Sequence, residues 1–312
     1  MVKSLKYWIC GLLLLVLLAG SVCARADIIE IPMDLMLMPE LNPAYYLSDS
    51  LYEDPSIRVE ITEGRAFETD YLVVRVKIAN ATQLRSYVDR SEDGTYADRM
   101  AKAIHSVLTI TGDDFRVNKR ETRKYVIRQG KPVMVEKWRD QCYYDILMID
   151  ENGDFQILKR PTREEADAFV ESHTIVNSFC FGPALVIDGE LQPYPEGVWA
   201  NGVGWNKPAQ RLCVCQLGPL EYMIVATGGP DNPNCKGVTG EQFVQIILEE
   251  DNPVVAYNLD GGTAAWVVFR DQKINTFNRN PSHGKKPVGD VIYFASAWRE
   301  EETAEAEETP VP

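Results

Sequence analysis

The chain has 312 residues, 45% of them hydrophobic and 25% charged, a composition that excludes a fibrous or wholly disordered protein. Its formal net charge of −14 excludes a nucleic-acid binder, which needs a positive surface. The length permits two domains, but no linker divides the middle of the chain.

At the N-terminus, Lys3 and Lys6 precede an apolar run over residues 9–20, and the small residues Ala24 and Ala26 follow. A charged n-region, an apolar h-region and an Ala-x-Ala site make residues 1–26 a signal peptide. The run is shorter than the ~20 residues a spanning helix needs, and Cys23 follows Val22 rather than a small residue, against a lipoprotein signal. The expectation is an exported chain, secreted or associated with the cell envelope, without a permanent membrane span. Residues 27–56, rich in Pro, Met, Leu and Tyr without a clear period, read as an extended N-terminal arm.

Strand signals dominate from residue 57, in IRVEITEG, YLVVRVKIA, KYVIRQGKPVMV, SFCFGPALVIDGELQ, QRLCVCQLG, EYMIVATGG, AAWVVF and DVIYFASA. These are β-branched or aromatic runs bounded by turn residues. ILMID and DFQILK around Glu151, Asn152 and Gly153 predict a hairpin. Three helices interrupt them, over residues 96–107, 162–172 and 239–250. The second and third open with capping boxes, Thr162 with Glu165 and Thr239 with Gln242. Phe243, Ile246 and Ile247 then share one face. Many strands with few helices in no regular alternation predict an α+β fold, a mixed and mostly antiparallel sheet core with a few flanking helices over residues 57–298. Residues 299–312 form an acidic tail too polar to pack, and read as disordered.

Five cysteines remain after the signal: Cys142, Cys180, Cys213, Cys215 and Cys235. Export permits a disulfide, but the number is odd. Cys213 and Cys215 would point to one face of a strand; with no histidine nearby they make a poor zinc site and read as buried small side chains. The three histidines, His105, His173 and His283, have no metal-ligand spacing. There is no Gly-x-Ser-x-Gly elbow and no phosphate-cradling glycine loop. Asp150, Asn152 and Asp154 imitate a calcium loop, but Phe155 stands where its glycine belongs and the closing glutamate is missing. No metal and no cofactor are expected.

The most informative stretch is YNLDGGTAAWVVF, residues 257–269. It sets Asp260 at a strand end beside Gly261 and Gly262, which let the backbone turn sharply and a ligand approach closely. Asp-Gly is also a preferred hairpin turn, so the motif gains meaning from its company. HSVLTITGDDF (105–115), FGPALVIDGEL (181–191), PAQRLCVCQLG (208–218), CKGVTGEQFVQIILEE (235–250) and FNRNPSHGKKPVGDVIYFASA (277–297) accompany it in order. Together these six blocks resemble the phosphodiester glycosidase family, that of the mannose 6-phosphate uncovering enzyme and of exported, exopolysaccharide-related bacterial proteins. Thr111 stands for the motif asparagine, Thr263 and Ala264 for the third glycine and serine, and Asn278 or Asn280 for the closing asparagine.

The resemblance implies a hydrolase that cleaves the glycosidic bond of a sugar-1-phosphodiester in a glycan or cell-envelope polymer. Such a bond expels a phosphate monoester, a good leaving group, so a strong general acid is less necessary than in ordinary glycoside hydrolysis. A cation must hold the phosphate, and Arg211, on the motif arginine, offers a bidentate guanidinium; the alternative is a buried salt-bridge partner. A carboxylate must stabilise the oxocarbenium-like state or activate water, and Asp260 is the nominee. Glu241 is a second catalytic nominee, although in a first helical turn it also complements the dipole. Gly261, Gly262, Thr263, Gly112, Asp113 and Asn278 complete the expected phosphate and sugar contacts. The alternative function is a non-catalytic binding module for phosphorylated or acidic glycans. Geometry predicts that the Arg211 strand, the Asp260 turn and the Gly112 loop converge at strand ends over a packed sheet.

Overall fold

The computed structural model describes residues 27–300, except 90, 92, 114–124, 136–141, 143–144, 195–203 and 276–285. A small unit joins the two ends of the chain, where Asp27–Ile28 pairs antiparallel with Trp298–Arg299. Residues 30–297 form the larger unit, an α+β structure that is mainly β, and all its described strand pairs are antiparallel.

A nine-stranded sheet runs, in spatial order, through Glu190–Leu191, Ala184–Ile187, Val255–Asn258, Leu212–Gly218, Glu221–Thr227, Thr69–Ile78, Ile57–Ala66, Leu51–Asp54 and Tyr46–Ser48. A five-stranded sheet runs through Gln272–Lys273, Val267–Phe269, Leu108–Thr111, Asp290–Phe294 and Leu84–Val88. Strand alternation sorts their side chains. Val74, Val214, Ile224 and Tyr257 from the first sheet meet Ile110, Val267, Ile292 and Phe294 from the second in the main core.

The opposite faces take helices, here numbered among the described residues. Helix α1, Ala97–Ile104, lays Ala97, Met100, Ala101 and Ile104 on Val268, Val291 and Tyr293 of the five-stranded sheet. Helix α2, Arg163–Ser172, and helix α3, Gly240–Glu250, both carry the predicted capping boxes. Helix α3 covers Cys213, Cys215, Val225 and Ala256 with Phe243, Val244, Ile246 and Ile247. Cys213 and Cys215 thus share a face, their Sγ atoms 3.8 Å apart, and all five cysteines are buried free thiols. The predicted hairpin pairs Ile146–Asp150 with Phe155–Leu158, and Ile175–Phe179 flanks it.

Within residues 30–297, strand pairing begins earlier than the sequence pattern indicated, at Tyr46, inside the expected arm. The preceding residues are fastened by Arg85, which is 1% exposed. Its Nη2 donates to the carbonyls of Pro32, Met33 and Leu35 at 3.1, 3.3 and 2.7 Å. Its Nε donates to the Tyr293 hydroxyl at 3.0 Å.

Candidate functional site

The strands Leu212–Gly218 and Val255–Asn258 are neighbours, with Cys213 opposite Asn258. The ladder continues past the strand ends, for Leu259 N–H donates to Leu212 O and Gly262 N–H to Gln210 O, each at 2.9 Å. The register slips by one residue between these two bonds, so Asp260 and Gly261 together lie across from Arg211. Gly261 makes the approach possible: a Cβ there would stand 2.6 Å from the Gln210 carbonyl oxygen. Gly262 takes the left-handed region, φ 58°, and opens the 3-10 turn Gly262–Ala264. Asp260, Gly261, Gly262 and Thr263 are all part-exposed, so they form a rim over the buried strand ends.

The buried start of the Gly112 loop contacts the same turn. Thr111, fully buried, donates its hydroxyl to Ala264 O at 2.6 Å and accepts the Trp266 N–H at 2.9 Å. The positions that stand for the motif asparagine and serine are therefore in contact. Gly112 packs on the Asp290 carboxylate, which a Cβ would meet at 2.4 Å.

Asp113 has a different place from the expected one. It is 1% exposed, and its Oδ2 accepts the Cys180 N–H at 2.8 Å. Arg128 Nη2 lies 3.5 Å from Asp113 and 2.5 Å from Asp290, and the guanidinium stacks 4.1 Å over Phe179. Burial by itself lowers the Arg128 pKa, but Asp290 and Asp113 outweigh it and raise the guanidinium above its ordinary value. Asp113 thus belongs to a buried ionic cluster under the Gly112 loop. Sequence reading missed its partners because Arg128 and Asp290 are remote in the chain; a lone charge inside the apolar run YVIRQ was the available signal.

Arg211 is 4% exposed. Its Nε donates to Val238 O at 3.2 Å, and its Nη2 lies 2.7 and 2.8 Å from Gly204 O and Lys207 O. Burial lowers its pKa to about 10. These partners are main-chain carbonyls. The guanidinium ties the residue 204–207 turn and the segment leading into α3 to the strand that faces Asp260. Glu241 is exposed in the first turn of α3. Asn278, His283 and Asp114 lie outside the described residues.

One side chain was not anticipated. Asn258, 3% exposed, donates Nδ2–H to Gly182 O at 2.8 Å, attaching the Phe181-Gly182-Pro183 turn to the strand that leads to Asp260. Its signal was a polar residue in an otherwise apolar strand. Tyr257, next to it, donates its hydroxyl to Asp145 O and accepts the Phe181 N–H, each at 2.8 Å.

A profile of the phosphodiester glycosidase family matches residues 105–295, an interval that holds Gly112, Arg211 and Asp260. Among solved structures, the catalytic domain of zebrafish N-acetylglucosamine-1-phosphodiester alpha-N-acetylglucosaminidase, auto-inhibited by its pro-peptide, is similar with a TM-score of 0.61 at 13% identity. The match covers 78% of this chain and 85% of that one. A hypothetical protein from Synechocystis is similar with a TM-score of 0.51 at 12% identity, over 79% of this chain and 64% of the other. Likeness at such identities is a likeness of fold. No curated protein sequence matches the chain.

Proposed function

The chain belongs to the phosphodiester glycosidase family and is a glycosidase-type hydrolase acting on phosphodiester-linked sugars; within that activity we propose that Asp260 is the carboxylate catalyst and Arg211 the cation beside the phosphate. The observation that carries this reading is the position of Arg211 and Asp260 between the Leu259–Leu212 and Gly262–Gln210 bonds, at a glycine turn docked on Gln210. The half-exposed Asp260 stabilises developing positive charge at the anomeric carbon or activates water. The Gly261 amide lies beside it as a further donor to a phosphate or sugar oxygen, while the Gly262 N–H is taken by Gln210 O.

Arg211 acts in this reading through its fixed positive charge as well as through hydrogen bonds, because Nε and Nη2 already hold carbonyls. Thr263 and Gly112 shape the rim, and Asn278 keeps its expected role as a substrate contact. Asp113 supports the Gly112 loop from below. Glu241 stays a secondary nominee on α3, whose approach Arg211 positions through Val238. The substrate is a sugar-1-phosphodiester of a glycan or cell-envelope polymer, met outside the cytoplasm after export directed by residues 1–26.

The test is turnover of a sugar-1-phosphate diester with a chromogenic leaving group. Loss of turnover in Asp260→Asn, with Glu300→Gln unaffected, supports the assignment. Equal turnover in Asp260→Asn and the unaltered protein refutes it.

A further inference from the structure

One aromatic side chain stands apart from the packing of the larger unit. Phe181 is part-exposed and belongs to none of the four hydrophobic clusters that the described residues form. The other part-exposed aromatic side chains described in residues 30–297 are Tyr45, Tyr46, Tyr71, Tyr87, Tyr96 and Phe169, and each packs on one of those clusters. A single exposed apolar residue is ordinary, so position decides whether this one matters.

The main chain is held at every residue from Cys180 to Ala184. The Cys180 N–H donates to Asp113 Oδ2, and the Phe181 N–H to the Tyr257 hydroxyl, each at 2.8 Å. Gly182 O accepts the Asn258 Nδ2–H at 2.8 Å, and Pro183 O accepts the Asn258 main-chain N–H at 3.1 Å. The Ala184 N–H then donates to Asp145 Oδ2 at 3.0 Å. Phe181 is thus bracketed. The residue before it is bonded to the neighbour of Gly112, and the residue after it to a side chain two positions before Asp260. A ring left out of the core stands on a fixed turn between two segments of the proposed site.

A pyranose needs such a ring as well as polar contacts. Asp260 and the Gly261 amide suit its hydroxyls and phosphate, but its axial C–H groups form an apolar face that carboxylates and amides do not match. Ligand sites combine apolar and aromatic walls with a few placed polar groups, and an aromatic face offers a large contact area.

We propose that Phe181 is the platform on which the sugar ring of the substrate stacks, and hence the residue that selects a pyranose with an unbroken C–H face. This rests on the reading of Asp260 as the catalytic carboxylate. Stacking is made alike in the ground and transition states, so it acts on KM rather than on kcat.

The test uses the whole chain and the 1-phosphates of glucose, galactose, mannose and N-acetylglucosamine, titrated by NMR, beside release of free sugar from the matching methyl phosphodiesters. Phe181→Leu keeps apolar bulk and loses the ring, whereas Phe181→Tyr keeps the ring. For at least one probe, binding is expected to shift the sugar C–H protons upfield. Phe181→Leu should abolish that shift, weaken binding about tenfold or more and raise KM to match, at unchanged Tm. Phe181→Tyr should restore affinity to within about twofold. The proposal is overturned if no probe binds at millimolar concentration, if Phe181→Leu binds as the unaltered protein does, or if both variants lose affinity equally. A parallel fall of Tm and kcat at unchanged affinity would mark Phe181 as a packing residue and also overturn it. Failure of the catalytic reading looks different: Asp260→Asn would release sugar at the unaltered rate while Phe181→Leu still lost affinity, which leaves the stacking role standing.

Discussion

Arg211 and Asp260 lie between the same two cross-links of neighbouring segments, the Leu259 N–H on Leu212 O and the Gly262 N–H on Gln210 O, each 2.9 Å. The two residues are 49 positions apart in sequence, yet the antiparallel pairing gives them little freedom to separate. Gly261 is the hinge of that relationship. A methyl group there meets a main-chain oxygen at 2.6 Å, and a main-chain atom cannot swing aside as a side chain can. Gly261→Ala is therefore expected to push the Asp260 turn off Gln210 and to cut kcat by about 100-fold, since small misplacements of reacting groups are costly. Gly262→Ala meets no atom within 4 Å and suffers only the left-handed backbone penalty, about 1–2 kcal/mol. Parallel kcat and Tm measurements should separate the two; equal activity in both would refute the docking argument.

Asp260→Asn keeps the shape and removes the charge. Because the residue is part-exposed, Tm should hardly move, while kcat should fall about 10²–10³-fold if the carboxylate stabilises the transition state. A matched rise in KM with unchanged kcat would instead make Asp260 a binding residue.

Arg211→Lys separates charge from geometry. An ammonium keeps the positive charge but cannot reach Val238, Gly204 and Lys207 carbonyls at once as the guanidinium does. Both activity and stability are expected to fall, the latter by about 1–3 kcal/mol as buried carbonyls lose their donors. Urea denaturation read beside kcat checks this. A fall in activity alone would mean that the arginine's structural contacts are dispensable.

Local rules made much of this fold legible. The capping boxes at Thr162 and Thr239 and the turn at Gly153 act within a few residues, and all three formed as the sequence indicated. The six ordered blocks likewise identified the family. What remained hidden depends on distant partners. Nothing near Arg128 in sequence announces Asp113 or Asp290, and nothing near Arg85 announces that it grips the carbonyls of residues 31–35. The same limit applied to Arg211, a charge on an apolar strand, for which carbonyl partners were not considered. A buried arginine is satisfied by any cluster of oxygens that the chain happens to gather.

Thr111 tests whether the contact with Ala264 matters. Its hydroxyl both donates to Ala264 O and accepts the Trp266 N–H, so Thr111→Val keeps the shape and strips two buried hydrogen bonds. The expected cost is about 1–3 kcal/mol, seen as a lower urea midpoint at unchanged m-value. Thr111→Ser retains the hydroxyl and should recover most of that loss. If valine and serine destabilise equally, the methyl packing rather than the hydroxyl holds the Gly112 loop to the turn.

Asp145 gives stability a pH dependence whose sign can be worked out. The side chain is 2% exposed, and its Oδ2 accepts the Ala184 N–H at 3.0 Å. Burial raises its pKa from 3.8, only partly offset by that N–H and by Lys159 and Arg160. An acid with a raised folded pKa holds its proton more tightly in the native state than in the unfolded one. Between 3.8 and the folded value the native state therefore binds more protons, and stability decreases with rising pH. The contribution is fully present below 3.8 and is gone above the folded pKa. Asp145→Asn keeps an oxygen for the Ala184 N–H and has no proton to lose. Its stability relative to the unaltered protein should accordingly rise between roughly pH 3 and pH 7, as urea midpoints at the two ends would show. A difference that stays flat or falls across that interval would mean that the carboxylate is as well solvated in the fold as outside it.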